Sequence, residues 1–178
     1  MTTTTSTTAI LRPQADEYLS YYGKYISQVP DGDLLSLLRE QLIDSVAQIR
    51  AHGDRADFAY APGKWTMKEV VGHLSDCERI FAYRTLRVAR NDQTNLPGFD
   101  ENAFVTNANF SRRSLDDLLE ELQVVRTATI HLARQLDEDE LTRRGSANGA
   151  EITPRALLYI VAGHERHHVG LLRERYWT

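Results

Sequence analysis

The sequence predicts an all-α fold, a four-helix bundle with an extra helical segment at its N-terminal end. Four long segments carry apolar residues at intervals of three and four, the spacing that places them on one face of a helix. The 178 residues include only 10 glycines and 5 prolines, and no β-branched runs separated by turn signals, which disfavours a β-sandwich or barrel. Four amphipathic helices bury their apolar faces most simply against one another.

The N-terminal region divides into a tail and a short helical segment. Residues 1–9 are polar and repetitive, with too little apolar surface to offset the entropy of ordering, so we predict a disordered tail followed by one domain over residues 10–178. Four tyrosines then follow a helical spacing: Tyr18, Tyr21, Tyr22 and Tyr25. Their rings either pack this segment across the bundle or reach a functional site or a subunit interface.

The first two bundle helices have recognisable start signals. Asp33 is a candidate N-cap for a helix that ends near His52, with Gly53 as a candidate C-cap. Thr66 begins the second helix, and Glu69 three residues later completes a capping box. The apolar stripes are Leu34, Leu38, Leu42, Val46 and Ile49 in the first helix, and Val70, His73, Leu74, Cys77 and Phe81 in the second.

The last two bundle helices begin at Ser114, with Asp117 placed to help cap it, and at Thr153, with Pro154 at the first helical position. Between the second and third helices, residues 91–113 are more than neighbouring antiparallel helices need, so we expect a long loop that is functional or spans the bundle. The stripes are Leu115, Leu118, Leu119, Leu122, Val125, Thr129 and Leu132, then Leu157, Val161, His164, His168, Leu171 and Arg175.

Composition excludes several partners and locations. Lys+Arg 21 against Asp+Glu 25 gives a formal charge of −4 without a dense basic tract, so we expect no nucleic-acid partner. The longest apolar run, residues 156–162, is too short to span a membrane, and residues 1–8 lack the features of a secretion signal. The single cysteine, Cys77, excludes an intramolecular disulfide framework, so we expect a cytoplasmic protein.

Three of the six histidines form a candidate metal site. His164 and His168 are four residues apart, which places both imidazoles on the apolar stripe of the last helix. Protonation there is costly, and one divalent cation satisfies the lone pairs of both neutral rings. His73 supplies a third nitrogen from the inward stripe of the second helix. Three imidazoles with open positions suit Zn²⁺, Ni²⁺ or Fe²⁺ and are typical of catalytic sites.

Carboxylates near these histidines are candidate proton shuttles. Asp76 either orients a ligand or acts as a base, or it is a surface carboxylate. Glu165 is the second residue of an H-E-x-x-H segment that ends at His168, the helix pattern of zinc proteases. Only 10 residues follow His168 and the downstream third ligand is missing, which disfavours a protease. Asp100 and Glu101 in the long connection are further candidates to approach an open metal face.

Two other residues lie close in sequence to the candidate ligands. Cys77, one turn after His73, offers a sulfur ligand, although a buried thiol on an apolar stripe usually serves packing. His167 lies on a different face from the ligand pair, so we expect it to contact a ligand or to be exposed. The remaining histidines, His52 and His131, have no partner at an informative spacing.

Two motifs in combination resemble the DinB-like superfamily. They are Trp65 followed by VVGHLSD at residues 70–76, and GHERHHVG at residues 163–170. This superfamily includes bacillithiol S-transferases and mycothiol-dependent maleylpyruvate isomerases, and the resemblance covers about residues 30–176. It implies a four-helix bundle, commonly a homodimer, with a divalent metal on His73, His164 and His168. It also implies a low-molecular-weight thiol as cosubstrate, because an open-site metal favours the thiolate.

Two functional hypotheses follow. In the leading hypothesis the protein is a metal-dependent thiol S-transferase or hydrolase, whose ion activates a thiol or water against a small electrophilic substrate. In the alternative it is a non-catalytic, stress-related metal-binding or interaction module, whose ion ties the second and fourth helices together. Removing the metal abolishes turnover in the first case and lowers only stability in the second.

Overall fold

The computed structural model describes residues 8–178 of the chain. Its helices are α1 (Gly23–Ile26), α2 (Leu34–Ala51), α3 (Met67–Ala89), α4 (Glu101–Ala108), α5 (Leu115–Ala133), α6 (Glu138–Thr142) and α7 (Pro154–Arg175). Its strands are β1 (Asn95–Leu96), β2 (Gly145–Ala147) and β3 (Ala150–Ile152). The predicted disordered tail falls mainly on residues 1–7, which lie outside the described residues.

The four long helices α2, α3, α5 and α7 form the predicted bundle. Both α2 and α3 pack against α5 and α7, so the helices surround the core in the cyclic order α2–α5–α3–α7. This order places α3 beside α7, and these two helices carry the three candidate metal ligands. No helix within residues 8–178 has both the length and the apolar character needed to cross a membrane.

The predicted start of each bundle helix is confirmed. The side chains of Asp33, Thr66, Ser114 and Thr153 each accept a hydrogen bond from the backbone N–H three residues later, over 2.9–3.2 Å. Glu69 accepts in turn from the backbone N–H of Thr66 and completes the predicted capping box. These bonds satisfy amide groups that have no partner inside the helix.

Several helix ends differ from the prediction. Gly53 does not cap α2 in a left-handed conformation; His52 occupies the C-cap, and Gly53 begins a 3-10 turn. At the start of α5, Asp117 joins the cap only through its backbone N–H, because its carboxylate pairs with Arg113 at 2.5 Å. At the end of α7, Arg175 is exposed although the predicted stripe included it.

The N-terminal helical segment is shorter than its tyrosine spacing predicts. Only a 3-10 turn (Ser20–Tyr22) and the single turn of α1 are helical. The segment packs tightly on α7 because Gly163 has no side chain: a Cβ atom there would lie 2.1 Å from the carbonyl oxygen of Tyr25. This close approach brings the Tyr25 ring against the histidine-bearing face of α7.

The connection over residues 91–113 is long, as predicted, but much of it is ordered secondary structure. It contains β1, α4 and a 3-10 turn at Phe110–Arg112. These elements form because the segment folds against α3, where the Phe110 ring occupies the space left by Gly72. The connection is therefore a packed layer on the bundle and more than a plain loop.

A small sheet of three strands also departs from the all-helical expectation. β1 pairs in parallel with β2, with Leu96 opposite Ala147, and β2 pairs antiparallel with β3. The β2–β3 turn consists of Asn148 and Gly149, with φ of 54° and 75°. A two-residue type I′ hairpin turn requires positive φ at both positions, and Asn-Gly is its commonest sequence. The Asn-Gly pair is thus a local signal for this hairpin, and the all-helical prediction did not take it into account.

A polar layer divides the core into two hydrophobic clusters. One cluster contains the first half of α7, residues 156–162, and the second half of α3. The other contains the start of α3 and the end of α7, including Val70, Val169 and Leu172. On both helices the histidines lie at the boundary between the clusters, together with buried polar side chains: Gln41, Glu78, Arg126 and Glu165.

Candidate active site

The three predicted ligand histidines lie together in the polar layer. His73 on α3 and His164 and His168 on α7 are all buried. The Nε2 atom of His164 lies 3.2 Å from Nε2 of His73 and 3.2 Å from Nε2 of His168. Imidazoles 91 residues apart in the chain therefore point the same ring nitrogen at one position.

This arrangement fits a divalent cation. Ligand nitrogens around a tetrahedral ion with bonds of about 2.0–2.1 Å lie about 3.3 Å apart, close to the His164–His73 and His164–His168 spacings found here. The single lone pair or proton on Nε2 of His164 satisfies one neighbouring nitrogen well, not two. A bound divalent cation would instead accept a lone pair from each of the three imidazoles.

Burial keeps these rings neutral, the form that binds metals. It lowers the pKa of His73 to about 4. Burial, followed by repulsion from neighbouring histidines, lowers the pKa of His168 to about 3 and holds that of His164 well below its ordinary value. A neutral imidazole offers a lone pair, whereas a protonated one does not.

Cys77 adds a fourth candidate donor. Its Sγ lies 3.6 Å from both ring nitrogens of His73. The ligand atoms of Cys77, His73 and His164 all lie within 4.8 Å of one another, close enough for a metal site. Burial raises the pKa of the Cys77 thiol to about 12, so the sulfur is protonated at neutral pH unless a cation is bound beside it.

The histidines form part of the wall of a cavity of about 590 Å³. Its aromatic lining includes three of the four N-terminal tyrosines, which favours the interpretation that their rings reach a functional site. The aromatic members of the lining are Tyr21, Tyr22, Tyr25, Trp65, Phe81 and Phe99. The cavity size and its mixture of apolar walls and a few polar groups are typical of small-molecule sites.

Aromatic rings also hold the imidazoles in place. The Trp65 ring lies 4.6 Å from that of His73. Tyr25 and Phe81 meet the His164 ring edge-on, with centroids 5.3 Å and 5.9 Å away. These contacts restrict ring rotation and leave the Nε2 atoms facing one position.

Neither predicted proton shuttle lines this cavity. The Glu165 carboxylate is buried on the opposite side, where it accepts hydrogen bonds from Arg126 at 2.7 Å and Gln41 at 2.6 Å. Asp76 lies at the outer side of α3, 3.5 Å from Arg79. The shuttle roles predicted for both carboxylates are therefore unsupported, because neither side chain lies on the part of its helix that lines the cavity.

The long connection supplies one carboxylate to the cavity. Glu101, at the start of α4, lines the cavity, which agrees with its candidacy from the sequence. Its neighbour Asp100 instead caps α4 by accepting from the backbone N–H groups of Asn102 and Ala103 at 2.9 Å and 3.0 Å.

Beneath the histidines, a buried ion network carries negative charge. The Arg126 guanidinium donates to both oxygens of Glu78, at 2.8 Å and 3.0 Å, as well as to Glu165. One cation between two carboxylates leaves a formal charge of −1. His164 lines the same small internal space as these three residues, so the network favours a cation on the histidine side.

Several residues of the cavity were not predicted from the sequence. Of the two positions expected for His167, the structure shows contact with a candidate ligand, because its ring lies 5.2 Å from that of His168 and it lines the cavity beside Tyr25. Asn148 reaches it from the β2–β3 turn. The position of Arg84 on the cavity side of α3 could have been predicted from the sequence, because Arg84 lies eleven residues, about three turns, after His73 and therefore on the same face.

The fold and the site together define a helical-bundle protein with a buried histidine cluster opening into a small-molecule cavity. The sequence model of the DinB superfamily matches residues 34–172, which include all three histidines and the four bundle helices except the last three residues of α7. The chain therefore belongs to the DinB superfamily. No curated protein sequence matches it significantly.

Two solved structures share the fold. YfiT from Bacillus subtilis, described as "a probable metal-dependent hydrolase with an unusual four-helix bundle topology", is 21% identical with a TM-score of 0.65, and the alignment covers 94% of this chain and 95% of YfiT. The mycothiol-dependent maleylpyruvate isomerase is 14% identical with a TM-score of 0.63. That alignment covers 85% of this chain but 62% of the isomerase.

Proposed function

We propose that this protein is a metal-dependent enzyme in which His73, His164 and His168 hold one divalent ion, Zn²⁺, Ni²⁺ or Fe²⁺. The observation that carries the proposal is the convergence of three buried imidazoles on the wall of an open cavity, with Nε2 of His73 and Nε2 of His168 each 3.2 Å from Nε2 of His164. A structural site is normally closed by protein ligands, whereas a site beside a cavity keeps a position for a substrate.

The reaction that we propose is thiol transfer to, or hydrolysis of, a small electrophile. A divalent ion held by these nitrogens would lower the pKa of a thiol or water bound to it, so that a nucleophile is available at neutral pH. The names of the two structural neighbours support the two alternatives, since one is described as a probable hydrolase and the other is mycothiol-dependent.

The chain's own residues position the reactants. The aromatic lining, including Trp65, Phe81 and Phe99, binds the apolar part of the electrophile and keeps water away from it. Glu101 is the carboxylate in the lining, so within this proposal it replaces Asp76 and Glu165 as the group that takes a proton from the incoming thiol or water.

Metal analysis of tag-free protein is the first test. We expect about one divalent ion per chain in the wild type, and loss of that ion in His164→Ala. His131→Ala is the matched control, because His131 is an exposed histidine on α5 and should leave the metal content unchanged. A wild-type protein that holds no stoichiometric metal, even after loading and gel filtration, contradicts the proposal.

Turnover is the second test. Metal-loaded wild type and His131→Ala are assayed with cysteine or glutathione against 1-chloro-2,4-dinitrobenzene, and with p-nitrophenyl acetate for hydrolysis. Glu101→Gln should keep its metal and lose rate, whereas His164→Ala should lose both. Equal rates in wild type and His164→Ala would show that the reaction does not use the metal. Bound metal without turnover of any thiol or ester favours the non-catalytic module.

Light scattering of the same samples measures their molar mass and so tests the homodimer that the family resemblance implies.

A further inference from the structure

Arg84 is a buried cation that no carboxylate neutralises. It is 3% exposed, yet within residues 8–178 no carboxylate oxygen lies within 4.0 Å of its guanidinium nitrogens, the distance of an ion pair. Its hydrogen bond goes from Nη2 to the main-chain oxygen of Pro97 at 2.7 Å. Removing a guanidinium from water without an anionic partner is costly, so this position favours an anionic ligand.

Two other arginines within residues 8–178, the buried Arg126 and the partly buried Arg155, have such partners. Arg126 lies between Glu78 and Glu165. Arg155 pairs with buried Glu17. Arg84 lacks such a partner and, unlike both of them, lines the 590 Å³ cavity. The position where a counter-ion is missing is therefore accessible to a ligand.

The location of Arg84 defines the shape of that ligand. Arg84 lies about three helical turns, roughly 16 Å along the axis, from His73, and Cys77 and Phe81 line the cavity between them. The Phe99 ring lies 5.9 Å from the guanidinium carbon. A ligand that joins the two ends has a negative group at one end, a flat apolar middle, and its reacting group near the histidines.

The charges around the cavity favour an anion. Lys24 also lines it, at the exposed edge, where its ammonium lies 3.8 Å from the Tyr21 ring centroid and makes no ion pair among the described residues. Glu101 is the opposing charge in the lining, and it is exposed and pairs with neither cation. The buried charge of the cavity is thus positive at the Arg84 end.

We propose that Arg84 binds the carboxylate of the substrate, so that the substrate is a small, flat carboxylic acid whose reacting group lies away from its carboxylate. The proposal rests on the proposed function in one respect, that this cavity holds the substrate. The carboxylate binds side-on to the guanidinium in a charge-assisted pair of hydrogen bonds. Lys24 attracts it to the entrance.

Binding of cinnamate and its neutral isostere cinnamamide tests the proposal. Titrations followed by protein NMR are expected to give at least about 10-fold tighter binding of cinnamate to the wild type, as for a hydrogen-bonded charged pair. Arg84→Met should lose this preference, and Arg84→Lys should retain part of it. Arg79→Met is the matched control, because it removes the same charge from the exposed side of α3.

Each outcome decides one question. Equal binding of the two probes by the wild type, or an undiminished preference in folded Arg84→Met, overturns the proposal. If Arg84→Met does not fold, an undiminished preference in Arg84→Lys overturns it, because the ammonium cannot bind a carboxylate side-on. If the preference for cinnamate over cinnamamide disappears when chelator removes metal from the folded protein, the carboxylate binds the metal and not Arg84, which overturns the proposal. A preference in wild type that holds no metal supports Arg84 while the metal proposal fails.

Discussion

Replacing Arg126 by methionine is expected to be among the most destabilising single changes in the protein. The arginine side chain is 1% exposed, and its guanidinium makes three contacts with Glu78 and Glu165 at 2.7–3.0 Å and one with the Leu38 carbonyl oxygen at 3.0 Å. The substitution leaves two carboxylates, 4% and 2% exposed, facing the same space without a cation. Breaking a buried ion pair in this way costs about 3–5 kcal/mol.

That cost is large compared with the total stability of a domain, which is about 5–15 kcal/mol. At about 2–4 °C per kcal/mol for a chain of this length, the melting temperature should fall by roughly 6–20 °C. Urea unfolding followed by circular dichroism, together with calorimetry, measures both quantities. The triple variant Arg126→Met, Glu78→Gln, Glu165→Gln should recover most of the loss, because it leaves no buried charge.

Arg79→Met is the control for this prediction. Arg79 pairs with Glu121 at 2.5 Å, but its side chain is 47% exposed, so its loss should cost less than about 1 kcal/mol. A cost for Arg126→Met as small as that of Arg79→Met would refute the reasoning, because it would mean that the buried network contributes no more than a surface pair.

Three further predictions concern close packing, pH and the metal. Gly163→Ala should destabilise the fold by more than about 2 kcal/mol, because the new Cβ would lie 2.1 Å from the Tyr25 carbonyl oxygen. Gly170→Ala is the control and should be neutral or stabilising, because a Cβ there would have no atom within 4 Å. Equal unfolding midpoints for the two variants would contradict this prediction. Glu17 is buried, and although burial alone raises its pKa, hydrogen bonds from Arg155 and neighbouring groups bring the pKa below its usual 4.5. The contribution of the Glu17 carboxylate to folding stability is therefore present above its unfolded-state pKa and is lost as the pH falls through its folded-state pKa. Glu17→Gln should cost about 2 kcal/mol at pH 7 and progressively less below pH 4.5. Urea unfolding at several pH values measures this cost, and a cost that does not change with pH would contradict the prediction. Chelator should lower the melting temperature of metal-loaded protein by about 5–10 °C and added Zn²⁺ should restore it, and an unchanged melting temperature would indicate that no metal stabilises the fold.

Local sequence signals predicted the starts of the bundle helices. Each cap acts over three residues, from Thr66 to Glu69 or from Thr153 to Ala156, so its partners are adjacent in the sequence. The i, i+4 spacing likewise predicted that His164 and His168 share a face. The Asn148-Gly149 turn is an equally local signal, so the β2–β3 hairpin was also within reach of prediction from the sequence, whereas the pairing of β1 with β2 was not.

Contacts between distant segments were not predictable in the same way. Which carboxylates surround Arg126 depends on the positions of α3 and α7 relative to α5, and Glu78 and Glu165 lie 48 and 39 residues away from it in the chain. A helical stripe identifies the buried face of a helix but not the helix that covers it. For this reason the predicted roles of Asp76 and Glu165 are unsupported.

The sequence by itself determined the four bundle helices, their apolar faces and the three histidines on those faces, because capping and helical periodicity operate within one or two turns. Only the tertiary structure decided that α3 lies beside α7, that three imidazole nitrogens face one position, and that Arg84 lines the same cavity without a carboxylate partner among the described residues. These features depend on the packing of whole helices, whose side chains meet across 39 to 124 residues of chain.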